Sequence, residues 1–195
     1  PPRLIAVSKK QEEYKIDDAI KIGQRFFGEN RVQEAIQRWE NRIKDYNDIE
    51  LRLIGPLQTN KVKQALQIFN VIETIDREKL AKSISDNIDD NIKTKSFYIQ
   101  VNTGDEVQKA GVPALEANNF IEFCKNDLSL PIIGLMCIPP ENEEPAMHFS
   151  LLRKLAIKNN LIELSMGMSN DFEEAIKFGA TSVRIGSKFF GDRKY

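Results

Sequence analysis

Eight short apolar runs recur along the chain, and each of the seven intervals between them carries apolar residues at helical spacing. The runs are LIAVSK (4–9), RFFGEN (25–30), LRLIGPL (51–57), VIETID (71–76), SFYIQVN (96–102), PIIGLMCIPP (131–140), ELSMGMS (163–169) and SVRI (182–185). The helical stripes begin with Ile16, Ala19 and Ile20, then Val32, Ala35, Ile36, Trp39 and Ile43. They continue through Val62, Ala65, Leu66 and Phe69, then Leu80, Ile84 and Ile88. Leu115, Phe120 and Phe123, then Met147, Leu151 and Leu155, and last Phe172, Ala175 and Ile176 complete them. Strand–helix alternation implies parallel strands joined by crossover helices. The runs are continuously apolar, as expected of strands buried on both faces. Eight such strands close a barrel. An open doubly wound sheet competes, but no G-x-G-x-x-G follows the first strand to favour it. The expectation is a single α/β domain over residues 1–195, a TIM-like (β/α)8 barrel, compact at roughly 24 residues per unit. No internal repeat, low-complexity tract or linker divides it.

The last two strands and the helix between them hold the densest local signals. Asn170 with Glu173 fits a capping box, and Gly179 after Lys177 reads as a helix stop. Two strand ends carry hydroxyls: Ser169, and Ser187 beside Gly186. Backbone N–H groups there can face an anion, and a helix N-terminus behind Ser169 favours negative charge. In a (β/α)8 barrel the loops after strands seven and eight commonly hold a phosphate. The alternative is two ordinary tight connections.

Barrel sites are built at the C-terminal ends of strands. Those ends supply Ser8 and Lys9, Glu29 and Asn30, Gln58 and Asn60, Asp76, Asn102, Met136, Ser169, and Gly186 with Ser187. Lys9 could form a Schiff base with a phosphorylated aldehyde, or be one solvated lysine among 28 basic residues. Arg184 sits inside an apolar strand and must meet something polar there. Pyridoxal phosphate sites pair the ring nitrogen with an Asp or an Arg, and an Arg would leave that nitrogen unprotonated. A structural ion pair is the other reading of Arg184.

Other chemistries find less support. His148, the only histidine, falls in the sixth helical interval and not at a strand end, which argues against Ser-His-Asp and Cys-His arrangements. With Cys124 and Cys137 it has no zinc-site spacing. Two cysteines make no disulfide framework, so a reducing cytosol is the expected compartment. Asp105, Glu106 and Lys109 could hold a metal or substrate, or form a solvated loop. Trp39, Phe69 and Phe123 read as core; Phe189 and Phe190 could close the barrel or lie beneath a ligand. A net charge of −1, with both signs interspersed, suggests neither a nucleic acid nor an acidic membrane surface as partner. No apolar run is long enough to span a bilayer. The chain opens on Pro1 and enters a strand almost at once, so the expectation is that no targeting segment is present and that an N-terminal piece has been removed.

AVSK, FGEN with VQEA, IGPLQTNK, QVNTGDEVQKAG, GLMCIPP, LSMGMSNDFEEAI and GATSVRIGSKFFG follow one another from end to end. In these motifs and their order the chain resembles the YggS/PROSC family of pyridoxal 5′-phosphate homeostasis proteins. The resemblance implies one barrel similar to the N-terminal domain of alanine racemase. It implies that Lys9 holds the cofactor as an imine and that Arg184 faces the pyridine nitrogen. Ser169, Gly186 and Ser187 would hold the phosphate. Lys109 matches a secondary cofactor-linked lysine, and Asn30, Asn102 and Met166 are expected in the site wall. The sequence departs from the family at Arg52, where a histidine is frequent, at Ser187, where threonine is usual, and at Gln11, where a second lysine is common. The family's helix before AVSK is absent from this sequence, which questions the cover of one barrel face and the rigidity of the Lys9 strand.

Three functions follow for comparison. The favoured one is a non-catalytic cytoplasmic monomer that holds pyridoxal 5′-phosphate and delivers it, possible recipients being apo-enzymes that depend on it. The second is a pyridoxal phosphate-dependent amino-acid racemase, for which no second domain or opposite-face base is evident. The third is a phosphosugar enzyme that uses Lys9 differently.

Overall fold

Each apolar run forms a strand, and each return helix brings the chain back to start the next strand in the same direction. In the computed structural model, which describes residues 1–192, the strands are β1 (Arg3–Val7), β2 (Phe26–Glu29), β3 (Glu50–Leu53), β4 (Val71–Ile75), β5 (Ser96–Asn102), β6 (Val112–Pro113), β7 (Ile132–Met136), β8 (Glu163–Ser165) and β9 (Ser182–Ile185). They lie in the order β4-β3-β2-β1-β9-β8-β7-β5, all parallel, and a β4–β5 pairing closes the barrel. This is the expected (β/α)8 architecture. β6 is additional: two residues paired with Val101 and Asn102 at the end of β5. So short a strand, half of it proline, leaves no pattern to read.

The helices are α1 (Glu13–Lys21), α2 (Val32–Trp39), α3 (Arg42–Asp45), α4 (Val62–Ile68), α5 (Glu78–Asn87), α6 (Ala117–Glu122), α7 (Pro145–Lys158), α8 (Phe172–Lys177) and α9 (Ser187–Phe190). Among the described residues no helix is long and apolar enough to cross a membrane. The stripe expected from Val32 to Ile43 is broken into α2 and α3; near the break the Arg42 guanidinium, 2.6 Å away, caps the Arg38 carbonyl. Leu115 and Met147 do not face the core: Leu115 lies exposed in a short 3₁₀ turn, and α7 buries His148, Phe149, Leu152 and Leu155 instead. Ile88 falls just past the end of α5 and is partly exposed.

Helix α8 also starts differently. Asp171, not Asn170, is its N-cap residue, and Asp171 Oδ1 accepts the Met168 N–H at 2.7 Å. The expected capping box of Asn170 and Glu173 is therefore not formed. Gly179 does end the helix: it takes φ +97°, its N–H reaches the Ile176 carbonyl, and Ala180 N–H reaches the Ala175 carbonyl. This pair of bonds is a Schellman motif, which favours glycine because of the positive φ.

Two apolar clusters divide the interior. The large one joins strand residues such as Ala6, Phe27 and Ile72 to helix residues such as Ile16, Ala35 and Leu152, between barrel and helices. The small one contains only strand residues, Val71, Tyr98 and Met136. Around it the strands are not continuously apolar. Arg52 is buried and donates to Glu73 and to the Tyr98 hydroxyl, each at 3.1 Å, and pairs with Glu50 at 2.6 Å. Buried charges persist only when paired in this way. Burial, more than its charged neighbours, pushes the Tyr98 phenol up to about 12.

Candidate functional site

The register of the last strand decides what reaches the barrel mouth. Ile5 pairs with Arg184 and Ala6 with Ile185, so Arg184 lies on the same face as Ile5 and, two residues on, Val7. Val7 and Arg184 both line an open cavity of about 1170 Å³. The rest of its wall comes from the loop after β7 (138–143), Pro145, the loop after β8 (167–171), Gly186, Ser187 and Asp192.

Arg184 is 2% exposed. Its Nη1 donates to Ser165 Oγ at 2.7 Å and its Nη2 to the Cys137 carbonyl at 2.9 Å. Both acceptors are neutral, and among the described residues no carboxylate forms an ion pair with it. The structural ion pair considered from sequence is thus not the arrangement found. A buried cation without a counter-charge is costly, so a guanidinium held at a cavity wall by neutral oxygens suits a further acceptor brought by a ligand.

Ser169 is positioned by the turn before it. Gly167 has φ +98°, and a Cβ there would lie 2.6 Å from the Ala175 Cβ. Only glycine lets the loop pass this close to α8. The Met168–Asp171 bond then fixes the loop, leaving Ser169 half-buried on the cavity wall. Gly186 and Ser187 line the facing side, where the Gly186 carbonyl accepts the Phe189 and Phe190 N–H groups that start α9. Phe189 and Phe190 pack edge to face, with centroids 4.7 Å apart, against the main core.

The remaining candidates lie outside this wall. Lys9 is half-buried in the turn that follows β1, two residues past Val7. Asn30 follows β2 with its Oδ1 buried and without a partner, and Gly55 packs so tightly on its backbone that a Cβ would stand 2.2 Å from the Asn30 carbonyl oxygen. Asn102 uses both ends of its amide on the Glu106 backbone. Lys109 is exposed and pairs with Glu106 at 2.9 Å. Met166 is fully buried in the main core.

Sequence reasoning missed the groups that support the site. His148 is not remote: it is buried, its Nε2 lies 2.6 Å from Glu143 and its Nδ1 3.0 Å from the Thr103 hydroxyl just past β5. With Nε2–H donating to the carboxylate, Nδ1 accepts from Thr103. Thr103 also meets the Cys137 thiol, which burial pushes up to about 12. Cys124 and Cys137 are both free and buried. Trp39 is core as expected, but its indole N–H also donates to buried Glu29 at 3.0 Å.

A family model described as the alanine racemase N-terminal domain matches residues 1–194. A pyridoxal phosphate homeostasis protein of Vibrio alginolyticus is 37% identical over 203 residues, spanning 99% of this chain and 87% of that one. A protein of the same name from Aquifex aeolicus is 40% identical over 205 residues, spanning 99% and 88%. Among solved structures, PipY of Synechococcus elongatus without PLP superposes with a TM-score of 0.89 at 33% identity, covering 97% of this chain and 93% of PipY. PipY with PLP bound gives 0.85 at 32%, covering 97% and 92%.

Proposed function

The chain belongs to the family of pyridoxal phosphate homeostasis proteins, built on the alanine racemase N-terminal domain, and from that premise we propose that it binds pyridoxal 5′-phosphate and serves its homeostasis and delivery without turning over amino acids. One observation carries the reading: Arg184, buried at the cavity wall, is held by Ser165 and the Cys137 carbonyl and lacks a carboxylate. A guanidinium can only donate, so the ring atom it faces must accept, which fits an unprotonated pyridine nitrogen.

When bound, pyridoxal phosphate supplies an aldehyde for imine exchange and a ring that withdraws electrons when its nitrogen is protonated. Lys9 provides the amine that bonds the aldehyde carbon. Ser169, Ser187 and the Gly186 backbone hold the phosphate. Lys109 is the secondary lysine, and Asn30 borders the site through its unpartnered amide oxygen. Asn102 acts through the loop that it braces, and Met166 through the core beneath the β8 loop. Of the four carboxylates in the cavity wall, Asp171 is engaged by the Met168 N–H and Glu143 by His148, which limits the repulsion of an anion by those two.

On this reading residues 1–195 act as one domain, in the cytoplasm and as a monomer, with apo pyridoxal phosphate-dependent enzymes as recipients. Two buried free thiols suit a reducing compartment. The test is borohydride reduction of the protein incubated with pyridoxal phosphate, followed by peptide mapping. The label is expected on Lys9 and absent from Lys9→Ala. A label that persists on another lysine in that variant overturns the assignment of Lys9.

A further inference from the structure

Ser8, the residue before Lys9, is held by every polar group it has. Its N–H donates to the Gly28 carbonyl at 3.1 Å and its hydroxyl to Glu29 Oε1 at 2.6 Å. Its carbonyl accepts the Gln11 N–H at 3.1 Å and Arg38 Nη1 at 2.9 Å. Arg38 Nη1 also lies 2.7 Å from Glu29 Oε1, which takes the Trp39 indole N–H as well. Three donors thus converge on one carboxylate oxygen, and two of them belong to a pair of adjacent residues on α2. The Ser8–Gln11 turn carries Lys10 at φ +57°, a strained conformation that a residue with a Cβ keeps only where its surroundings impose it.

This arrangement is expensive for mere packing. Glu29 is fully buried, and its Oε2 has no partner among the described residues. Apolar residues of similar volume would generally fill such a place at no loss of stability. Burial alone would lower the Arg38 guanidinium, but the charges and hydrogen bonds of Glu29 and Glu13 together outweigh it and hold Arg38 above its ordinary value.

We propose that Glu29 and Arg38 are positioning residues for Lys9: they clamp Ser8 on both its hydroxyl and its carbonyl and so fix the origin and direction of the lysine side chain. The inference rests on the reading that Lys9 bonds the aldehyde. In that step the neutral amine adds to the aldehyde carbon, the carbon–nitrogen double bond forms, and the aldehyde oxygen leaves as water. A lysine side chain must otherwise give up rotamer freedom to reach one geometry, and a fixed turn reduces that loss.

The experiment compares two ligands on Glu29→Gln, Arg38→Met and Lys9→Ala. Pyridoxal 5′-phosphate can bond the lysine; pyridoxine 5′-phosphate carries an alcohol in place of the aldehyde and cannot. Glu29→Gln and Arg38→Met are expected to weaken pyridoxal phosphate by about tenfold and to reduce visible imine absorbance, while pyridoxine phosphate binds as before. Equal weakening of both ligands, or no change in either, overturns the proposal. Lys9→Ala separates the two ideas. If it leaves the ratio of the two affinities untouched, the reading of Lys9 itself fails. If it shifts the ratio and the clamp variants do not, only the positioning role fails. Should Glu29→Gln not fold, Ser8→Ala deletes the hydroxyl bond alone and is expected to give the same selective loss.

Discussion

His148 Nε2 lies 2.6 Å from a Glu143 carboxylate oxygen and fastens the loop after β7 onto the first turns of α7. The other ring nitrogen meets Thr103, so one imidazole joins the exits of β5 and β7 at the cavity. Glu143 is largely exposed, so the bond contributes less than about 1 kcal/mol to folding. Its effect should fall on the loop instead. His148→Phe is expected to raise the release rate of pyridoxal phosphate several-fold while the melting temperature changes little. Stopped-flow release into an excess of an aldehyde trap measures it, and an unchanged rate would show that this loop does not retain the ligand.

The phosphate cradle makes a different prediction. Ser169 lines the cavity from the loop after β8 and Ser187 from the first turn of α9, so each would bring its own hydroxyl to the one phosphate. A hydroxyl bond to a charged group is worth about 1.5–3 kcal/mol. Ser169→Ala with Ser187→Ala should therefore weaken pyridoxal phosphate more than either alone. Pyridoxal, which lacks the phosphate, should be affected far less. Equal losses for the two ligands, read by equilibrium titration, would mean that these serines do not meet the phosphate.

Acid stability tests the ion pairs at the other end of the fold. The hydrogen bond from Arg42 holds the Asp17 carboxyl below its ordinary value. Burial pushes Glu163 upward, but Thr181 and Arg3 outweigh it and hold Glu163 low as well. A carboxyl lowered in the folded state gives stability that is complete above its unfolded value and is lost as pH falls through the folded one. Denaturant midpoints should therefore drop as pH falls below the ordinary carboxylate range. Arg42→Ala and Arg3→Ala should flatten that dependence, and a pH profile parallel to that of the unaltered protein would count against these pairs.

The barrel and the cation of its mouth were legible because both rest on local signals. Strand runs and helical stripes repeat within a few residues, and an arginine inside VRIG is anomalous by itself. What stayed hidden depends on distant contacts. His148 gains its place from Thr103, 45 positions away in the chain, and Glu29 gains its task from Ser8 and Arg38. Arg52 stands out in sequence only as a departure from the family's frequent histidine; its partners Glu73 and Tyr98 come from other strands. The helix cap shifts from Asn170 to Asp171, whose carboxylate bonds back to the Met168 N–H in the turn after Gly167.

Catalysis is the sharpest remaining test. Racemisation needs a proton donor and acceptor on both faces of the α-carbon, and Lys9 can serve only one. Tyr14 is exposed on α1, and Tyr46 follows α3 partly exposed. Tyr98 is buried inside the barrel and bonded to Arg52, while Tyr195 lies outside the described residues. Both ring nitrogens of His148 are already engaged. Arg184, able only to donate, would keep the ring nitrogen unprotonated and weaken the electron sink. Protein loaded with pyridoxal phosphate is therefore expected to show no turnover of alanine, serine or other common amino acids at an ordinary enzymatic rate. It should still release the ligand to an apo-enzyme added in trans. Enantiomer interconversion and keto-acid formation, followed for hours at high protein concentration, measure this directly. Turnover that disappears in Lys9→Ala would make the protein a small racemase or lyase and end the binder reading.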